Sequence, residues 1–253
     1  MTSWLDHSKG ITDTHCHIQD YEAPKDLLSG LSRLPVEVWN MTISPAQYLA
    51  NKEQFSRYSN IIHCPGFFPL ELPKIETQLD DLFIAMEESL VIGEVGLDYT
   101  IEDDCLKQKQ FDCLSKIFTK GVELGGRTFS IHSRRAAQET FALAAKFPAN
   151  TMIFHWFSGS LDLLEKIPEH FYFSCNTAMV RSRNFRNFIT KIPKGHILLE
   201  TDGPYIELGS KHVSSCDLHM VLDALARYWE LSRSEVEETI QGNIKQIKGK
   251  WNG

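Results

Sequence analysis

ITDTHCHIQD, residues 11–20, puts a cysteine between two histidines at the end of a short apolar run. Side chains alternate faces along a strand. Read as a strand, the stretch points His15 and His17 the same way and turns Cys16 to the opposite side. Cys16 is therefore expected to pack outward against a helix. Asp13 is expected on the histidine side, beneath them, filling an inner layer or orienting a ligand.

Seven further runs of this kind follow: VEVWNMTI (36–43), NIIHCPG (60–66), LVIGEVG (90–96), RTFSIHS (127–133), TMIFHWF (151–157), HFYFSCN (170–176) and HILLETD (196–202). They are short and rich in Ile, Val, Phe and Thr, which reads as buried strands. Helical patterns lie between them. IETQLDDLFIAMEE (75–88) carries an apolar stripe at Ile75, Leu79, Leu82, Phe83 and Met86. LKQKQFDCLSKIFTKGVEL (106–124) and SSCDLHMVLDALARYWEL (214–231) behave similarly, the latter opening with a serine as N-cap. SRSEVEETIQGNIKQI (232–247) reads as a last helix, with Ser234 placed to cap it. Eight alternating units in a chain of 253 residues predict an α/β fold, a (β/α)8 TIM barrel spanning 1–253 as a single domain. A doubly wound sheet is the other arrangement, but no GxGxxG follows an early strand.

In such a barrel the active site sits at the C-terminal ends of the strands. The runs end on His15 and His17, Glu94, His132, His155 and Asp202, six metal-competent side chains at the same end of five strands. Four histidines and two carboxylates exceed what one tetrahedral ion requires. Glu94, on a middle strand, is the natural bridge. The expected arrangement is His15, His17, Glu94 and Asp202 around one divalent ion, and Glu94, His132 and His155 around a second. Two such ions about 3.5–4 Å apart clamp the attacking and leaving oxygens of an in-line phosphoryl displacement. Imidazoles suit zinc, manganese or cobalt better than magnesium.

Composition narrows the setting. Hydrophobic residues make up 42% and charged residues 23%, the balance of a soluble globular protein. A net charge of -7 argues against a protein that coats nucleic acid, whose binding rests on Lys and Arg meeting phosphates. It leaves room for a nuclease with a local cation site. The six cysteines show no CxxC pair, MTSWLDHSKG lacks the apolar core of a signal peptide, and no apolar run reaches membrane-spanning length. A cytoplasmic, reducing location with no membrane association is expected.

DTHCH, GEVGLDY, IHSR, HWFSG and ETDGPY occur in that order from Asp13 to Tyr205. Together they resemble the successive motifs of the TatD family of metal-dependent deoxyribonucleases, within the amidohydrolase superfamily. The resemblance implies a TIM barrel and hydrolysis of DNA phosphodiesters, often as a 3′–5′ exonuclease with a single-strand preference. It implies Mg²⁺, Mn²⁺ or Zn²⁺ at His15, His17, Glu94, His132, His155 and Asp202. Many relatives carry Gly-x-His-Pro after the third strand, whereas here the stretch is PGFFP and Phe68 takes the histidine's place. TatD-like nucleases also occur in bacterial anti-phage gene sets, and a compact, divergent member fits such a set, with protein partners in a larger assembly.

Roles follow from the positions. Asp202 is the candidate to orient the attacking water and accept its proton, with Glu94 as the second catalytic carboxylate. Glu200 shares parity with Asp202 and is read either as a supporting base or third-ion ligand, or as a buried paired carboxylate. Asp98 is read as a structural loop residue. Arg134, on the parity of His132, suits bidentate phosphate binding. RSRNFRNF (181–188) is locally basic and interleaved with aromatics. Its phenylalanines fall at helical spacing with Ile189 and Ile192 and read as core, while Arg181 and Arg183 stay candidate substrate contacts. Trp156 alternates away from His155 and also reads as core. Two other functions use the same scaffold. One is an amidohydrolase or lactonase, which often bridges its metals with a carboxylated lysine where this chain has Glu94. The other is a non-catalytic barrel acting as a subunit of a larger assembly.

Overall fold

A computed structural model describes residues 10–252, so the expectation about a signal peptide falls largely on residues outside it. Eight strands alternate with helices: β1 (Ile11–Cys16), β2 (Val36–Met41), β3 (Ile61–Cys64), β4 (Val91–Asp98), β5 (Thr128–Arg134), β6 (Thr151–His155), β7 (Phe171–Cys175) and β8 (Ile197–Leu199). Neighbouring pairs among these eight are all parallel, in one sheet of order β1-β2-β3 and another of order β4-β5-β6-β7-β8; a separate antiparallel pair joins Glu207–Leu208 to Lys211–His212.

Two seams turn these sheets into a barrel. At the first, Phe67 bridges Val95, and the Phe67 amide donates to the Glu94 carbonyl at 2.9 Å. The Glu94 amide in turn donates to the Thr42 carbonyl at 2.9 Å. Gly66 passes so close that a Cβ would stand 1.7 Å from the Thr42 oxygen, so no other residue fits. At the second seam, β8 returns to β1. The Thr14 hydroxyl donates to the Leu199 carbonyl at 2.9 Å, and the Asp202 amide to the His15 carbonyl at 2.8 Å. Asp13 closes the remaining gap with its side chain. It accepts from the Thr201 amide at 2.9 Å, the Thr201 hydroxyl at 2.6 Å and the Ser215 hydroxyl at 2.7 Å.

The helices cover the outside, and the main core lies between them and the strands, with Leu82, Phe118, Phe129, Phe154 and Leu225 fully buried. The predicted stripe holds: Ile75, Leu82 and Met86 are buried, with Leu79 and Phe83 packed against the same core. Its helix starts later than the pattern suggests, at Leu79, after a separate turn Leu72–Ile75. The connection from β6 to β7 carries a short 3-10 turn, Leu161–Glu165, in place of a helix. Ser214 caps its segment as expected, in a capping box with Asp217. The last helix, Arg233–Gly249, is capped by Ser232 and not by Ser234; Ser232 shares a reciprocal box with Glu235. β8 is shorter than the run HILLETD, because the chain leaves the sheet after Leu199. All six cysteines are free, and Cys16 packs outward among Leu28, Leu31 and Val36 as its parity predicts. Among the described residues no helix is long and apolar enough to cross a membrane.

Asp13 gives a test of the second seam. Burial pushes its carboxyl up to about 6, against the pull of its hydrogen bonds. A raised folded-state value means that this stability is fully present below the ordinary value of 3.8 and is lost as pH rises through about 6. Urea unfolding of Asp13→Asn beside the wild type should show the wild-type advantage shrinking by about 2–3 kcal/mol between pH 4 and pH 7. Asp13→Ala, which strands three donors, should cost about 3 kcal/mol or more below pH 5.

Candidate metal centre

Strand ends bring all six predicted ligands to one place, the C-terminal mouth of the barrel. Alternation along β1 and one residue beyond aims His15 and His17 at each other, with their Nε2 atoms 3.0 Å apart. Glu94, midway along β4, sits beneath them. Its Oε2 lies 3.4 Å from His17 Nε2 and 3.8 Å from His15 Nε2. Its Oε1 lies 2.8 Å from His132 Nδ1 and 2.8 Å from His155 Nε2. Asp202 Oδ1 is 3.6 Å from His15 Nε2 and 3.8 Å from His17 Nε2. Two donor groups, His15–His17–Asp202 and Glu94–His132–His155, face one carboxylate, Glu94, and a third, His15–His155–Glu200, overlaps both.

Buried neighbours orient the rings. His15 Nδ1 meets the Ser130 hydroxyl at 2.7 Å, and donation there leaves Nε2 bare. His132 Nε2 donates to Asp98 Oδ2 at 2.8 Å, which leaves Nδ1 facing Glu94. Asp98 is thus a positioning residue for an imidazole as well as the structural residue expected, since its Oδ1 accepts from the Thr100 amide at 2.9 Å in the turn after β4. Its parity with Glu94 along β4 carried that signal, as did the parity of Ser130 with His132 along β5.

The electrostatics match the packing. Burial pushes the Glu94 carboxyl up, but the His155 charge and hydrogen bonds from His132, His155 and His17 outweigh it and hold the group well below its usual range. Burial and the neighbouring His155 charge keep His15 neutral. His155 loses to burial but gains more from Glu94, reaching about 9. Burial lifts Asp202 to about 6.

These donors fit a divalent cation. Neutral imidazoles and carboxylates are its usual ligands, and nitrogens bound at about 2.0–2.1 Å from one ion lie at separations like those between the two Nε2 atoms. Buried His17 Nδ1 and His155 Nδ1 also lack a hydrogen-bond partner, where buried polar atoms are normally paired.

The TatD related DNase family model matches residues 12–249. The chain belongs to that family. It is accordingly a metal-dependent hydrolase with the family's TIM-barrel fold. The mouse protein TATDN3 is 26% identical over 267 residues, covering 94% of this chain and 88% of its own length. Human "Deoxyribonuclease TATDN3" is 24% identical, covering 77% of this chain and 78% of its own. The crystal structure of YJJV, a TatD homolog from Escherichia coli, superposes with a TM-score of 0.81 at 22% identity, over 94% of this chain and 97% of that one.

The remaining predicted residues divide. Arg134 does reach the cleft above the cluster, a cavity of about 670 Å³. Arg181 does not, because its guanidinium is held by the Thr177 and Glu207 carbonyls at 3.0 and 3.2 Å. Arg183 is exposed on the same turn and is not among the residues lining the cleft. Phe185 and Phe188 are core, as their spacing predicts. Asp13 spends its hydrogen bonds on the β8–β1 seam, and none of those bonds reaches a ligand side chain. Glu200 is buried and accepts from Asn176 Nδ2 at 2.7 Å, the Trp156 amide at 2.9 Å and the Ser174 hydroxyl. Those bonds fit the buried, paired alternative, while the third-ion alternative keeps its donors, since Glu200 also groups with His15 and His155 and its Oε2 lies 4.0 Å from His155 Nδ1. Trp156 overturns its core assignment. It is 37% exposed and lines the cleft, because β6 ends at His155 and alternation stops there.

Occupation by metal should stabilise the fold, since only the folded chain assembles these donors. Thermal unfolding followed by circular dichroism should give a midpoint about 5–10 °C higher with saturating Mn²⁺ than with EDTA. The rise should be at least halved in His17→Ala.

Proposed function

We propose that the chain, acting over residues 1–253 as one catalytic unit in the cytoplasm, is a two-metal deoxyribonuclease that works as a 3′–5′ exonuclease preferring single strands. The observation that carries this reading is the Glu94 carboxylate, which turns one oxygen to each donor group. His15, His17 and Asp202 would hold one divalent ion, His132 and His155 the other, with Glu94 between them. Bound there, divalent ions supply Lewis acidity to the phosphate and make water more acidic. The bridging position belongs to a glutamate and not to a lysine, which counts against a lactonase.

The chain's own residues supply the rest. Arg134 stands at the rim with a planar guanidinium suited to the phosphate oxygens. Asp202, whose carboxylate faces His15 and His17 in the cluster, accepts the proton of the attacking water. Attack on phosphorus opens the bond to O3′, which takes up the proton that Asp202 accepted, and the released nucleotide keeps a 5′-phosphate. Asp98 and Ser130 hold His132 and His15 in register while charge shifts across the cluster. The cleft volume of about 670 Å³ lies within the range of sites that enclose small ligands, which supports action at a strand end.

Cleavage of 5′-labelled single-stranded and duplex DNA, with Mg²⁺, Mn²⁺ or Zn²⁺ and with EDTA, tests the proposal. The expected result is a metal-dependent ladder that shortens from the 3′ end, faster on single strands. Asp202→Asn should lower the rate by about 100-fold or more. A correctly folded wild type that cuts neither DNA with any metal would refute the reading.

A further inference from the structure

Trp156 faces the wrong way for its place in the sequence. Strand alternation after His155 would bury it, yet its φ is 40°, a left-handed value, and its indole lies in the cleft. The turn is held firmly. The Trp156 amide donates to Glu200 Oε1 at 2.9 Å, and Glu200 is fully buried and fixed by Asn176 and Ser174. A buried carboxylate thus anchors the backbone that aims a large ring at solvent, beside His155.

A second ring comes from another loop. Phe68, after β3, lines the same cleft and lies edge-on to His132, with centroids 5.1 Å apart. Positive charge is scarce by comparison. Arg134 is the one Lys or Arg lining the cleft among the described residues, against Glu71, Glu94 and Asp202, and the whole chain carries -7. Counterion release at many phosphates is therefore not available as a source of affinity. Stacking on aromatic faces is, and it works for any base whose face is free.

We propose that Trp156 and Phe68 form the base-recognition surface of the cleft, stacking on a base beside the scissile phosphate so that only a strand with that base unpaired and unstacked is bound productively. This rests on the phosphodiesterase reading above and gives it a structural cause for strand selection. Arg134 holds the phosphate, and the two rings hold the base.

The test compares a short single-stranded oligonucleotide with the same strand carrying an abasic residue at its 3′ or its 5′ end, in Mn²⁺. The wild type should cleave the intact strand with a kcat/KM about 10-fold or more above that for one of the abasic strands, mainly through KM. In Trp156→Ala that ratio should fall to within about twofold of unity, and in Trp156→Phe it should stay within about threefold of the wild-type ratio. Phe68→Ala should reduce the ratio as well. Loss of activity in Trp156→Ala by the same factor on intact and abasic strands would overturn the inference, since it would assign Trp156 to support of His155. A wild-type ratio near unity at both ends would overturn it too. A wild type that cleaves none of the strands would instead remove the phosphodiesterase reading, and the inference with it.

Discussion

The Glu94 carboxylate is buried at the bottom of a cleft, where a charge without partners would be very costly. Its partners come from other strands: His15 and His17 at the end of β1, His132 on β5 and His155 on β6. The ring of strands has to be closed, and closed at the right height, for those atoms to meet. The backbone of the β4–β5 pair is arranged around this need. Gly96, at φ 154°, lets β4 approach β5 so nearly that a Cβ would stand 2.0 Å from the His132 carbonyl. Bulkier residues there would separate the two strands at the level where Glu94 and His132 must lie 2.8 Å apart.

A cluster of this kind needs a second layer of contacts, because an imidazole with one free ring nitrogen can turn. Asp98 fixes His132, Ser130 fixes His15, and Asp202 is carried by a chain whose amide is bonded to the His15 carbonyl. Asp98 and His132 lie on the paired strands β4 and β5, Ser130 reaches His15 across the barrel from β5 to β1, and the Asp202 amide joins the chain after β8 to β1. That last contact both closes the barrel and orients the site. Stability of the fold and precision of the centre are coupled through β1, β4, β5 and β8.

The barrel and the meeting of the six candidate ligands were legible in the sequence because most of both follows from period-two alternation. His15 and His17 sharing a face, Cys16 turning to the helices, and Glu94, His132 and His155 facing one another from β4, β5 and β6 are one rule applied repeatedly. Asp98 and Ser130 obey the rule too, but a single Asp or Ser carries too little chemical signature to stand out before its partner is known. The rule fails where strands stop. β8 ends at Leu199, so Asp202 reaches the cluster through a left-handed turn and not through alternation from Leu199. Trp156 lies one residue beyond β6, and parity misassigned it. Arg181 was misread for a different reason: its charge is apparent in the sequence, but the two carbonyls that hold it belong to the folded chain.

Those failures share a location. Among the described residues, the non-glycine residues with positive φ are Arg135, Trp156, Asp202 and Glu230. The first three directly follow β5 and β6 or lie just past β8, at the mouth of the barrel. Each such conformation costs on the order of 1–3 kcal/mol and persists only where its surroundings fix it. Glu230 has an ordinary reason, as the C-cap of a helix. The other three occur where the chain stops alternating past a strand; two of them, Trp156 and Asp202, turn their side chains to the cleft, while Arg135 is exposed outside its lining. At Trp156 the fixing group is Glu200, and at Asp202 it is the bond to β1. A strand that continued for two more residues would relieve the strain at these positions and would turn the side chains away from the cleft. The strain is therefore a consequence of building a site on the ends of strands, and it locates the site as clearly as the histidines do.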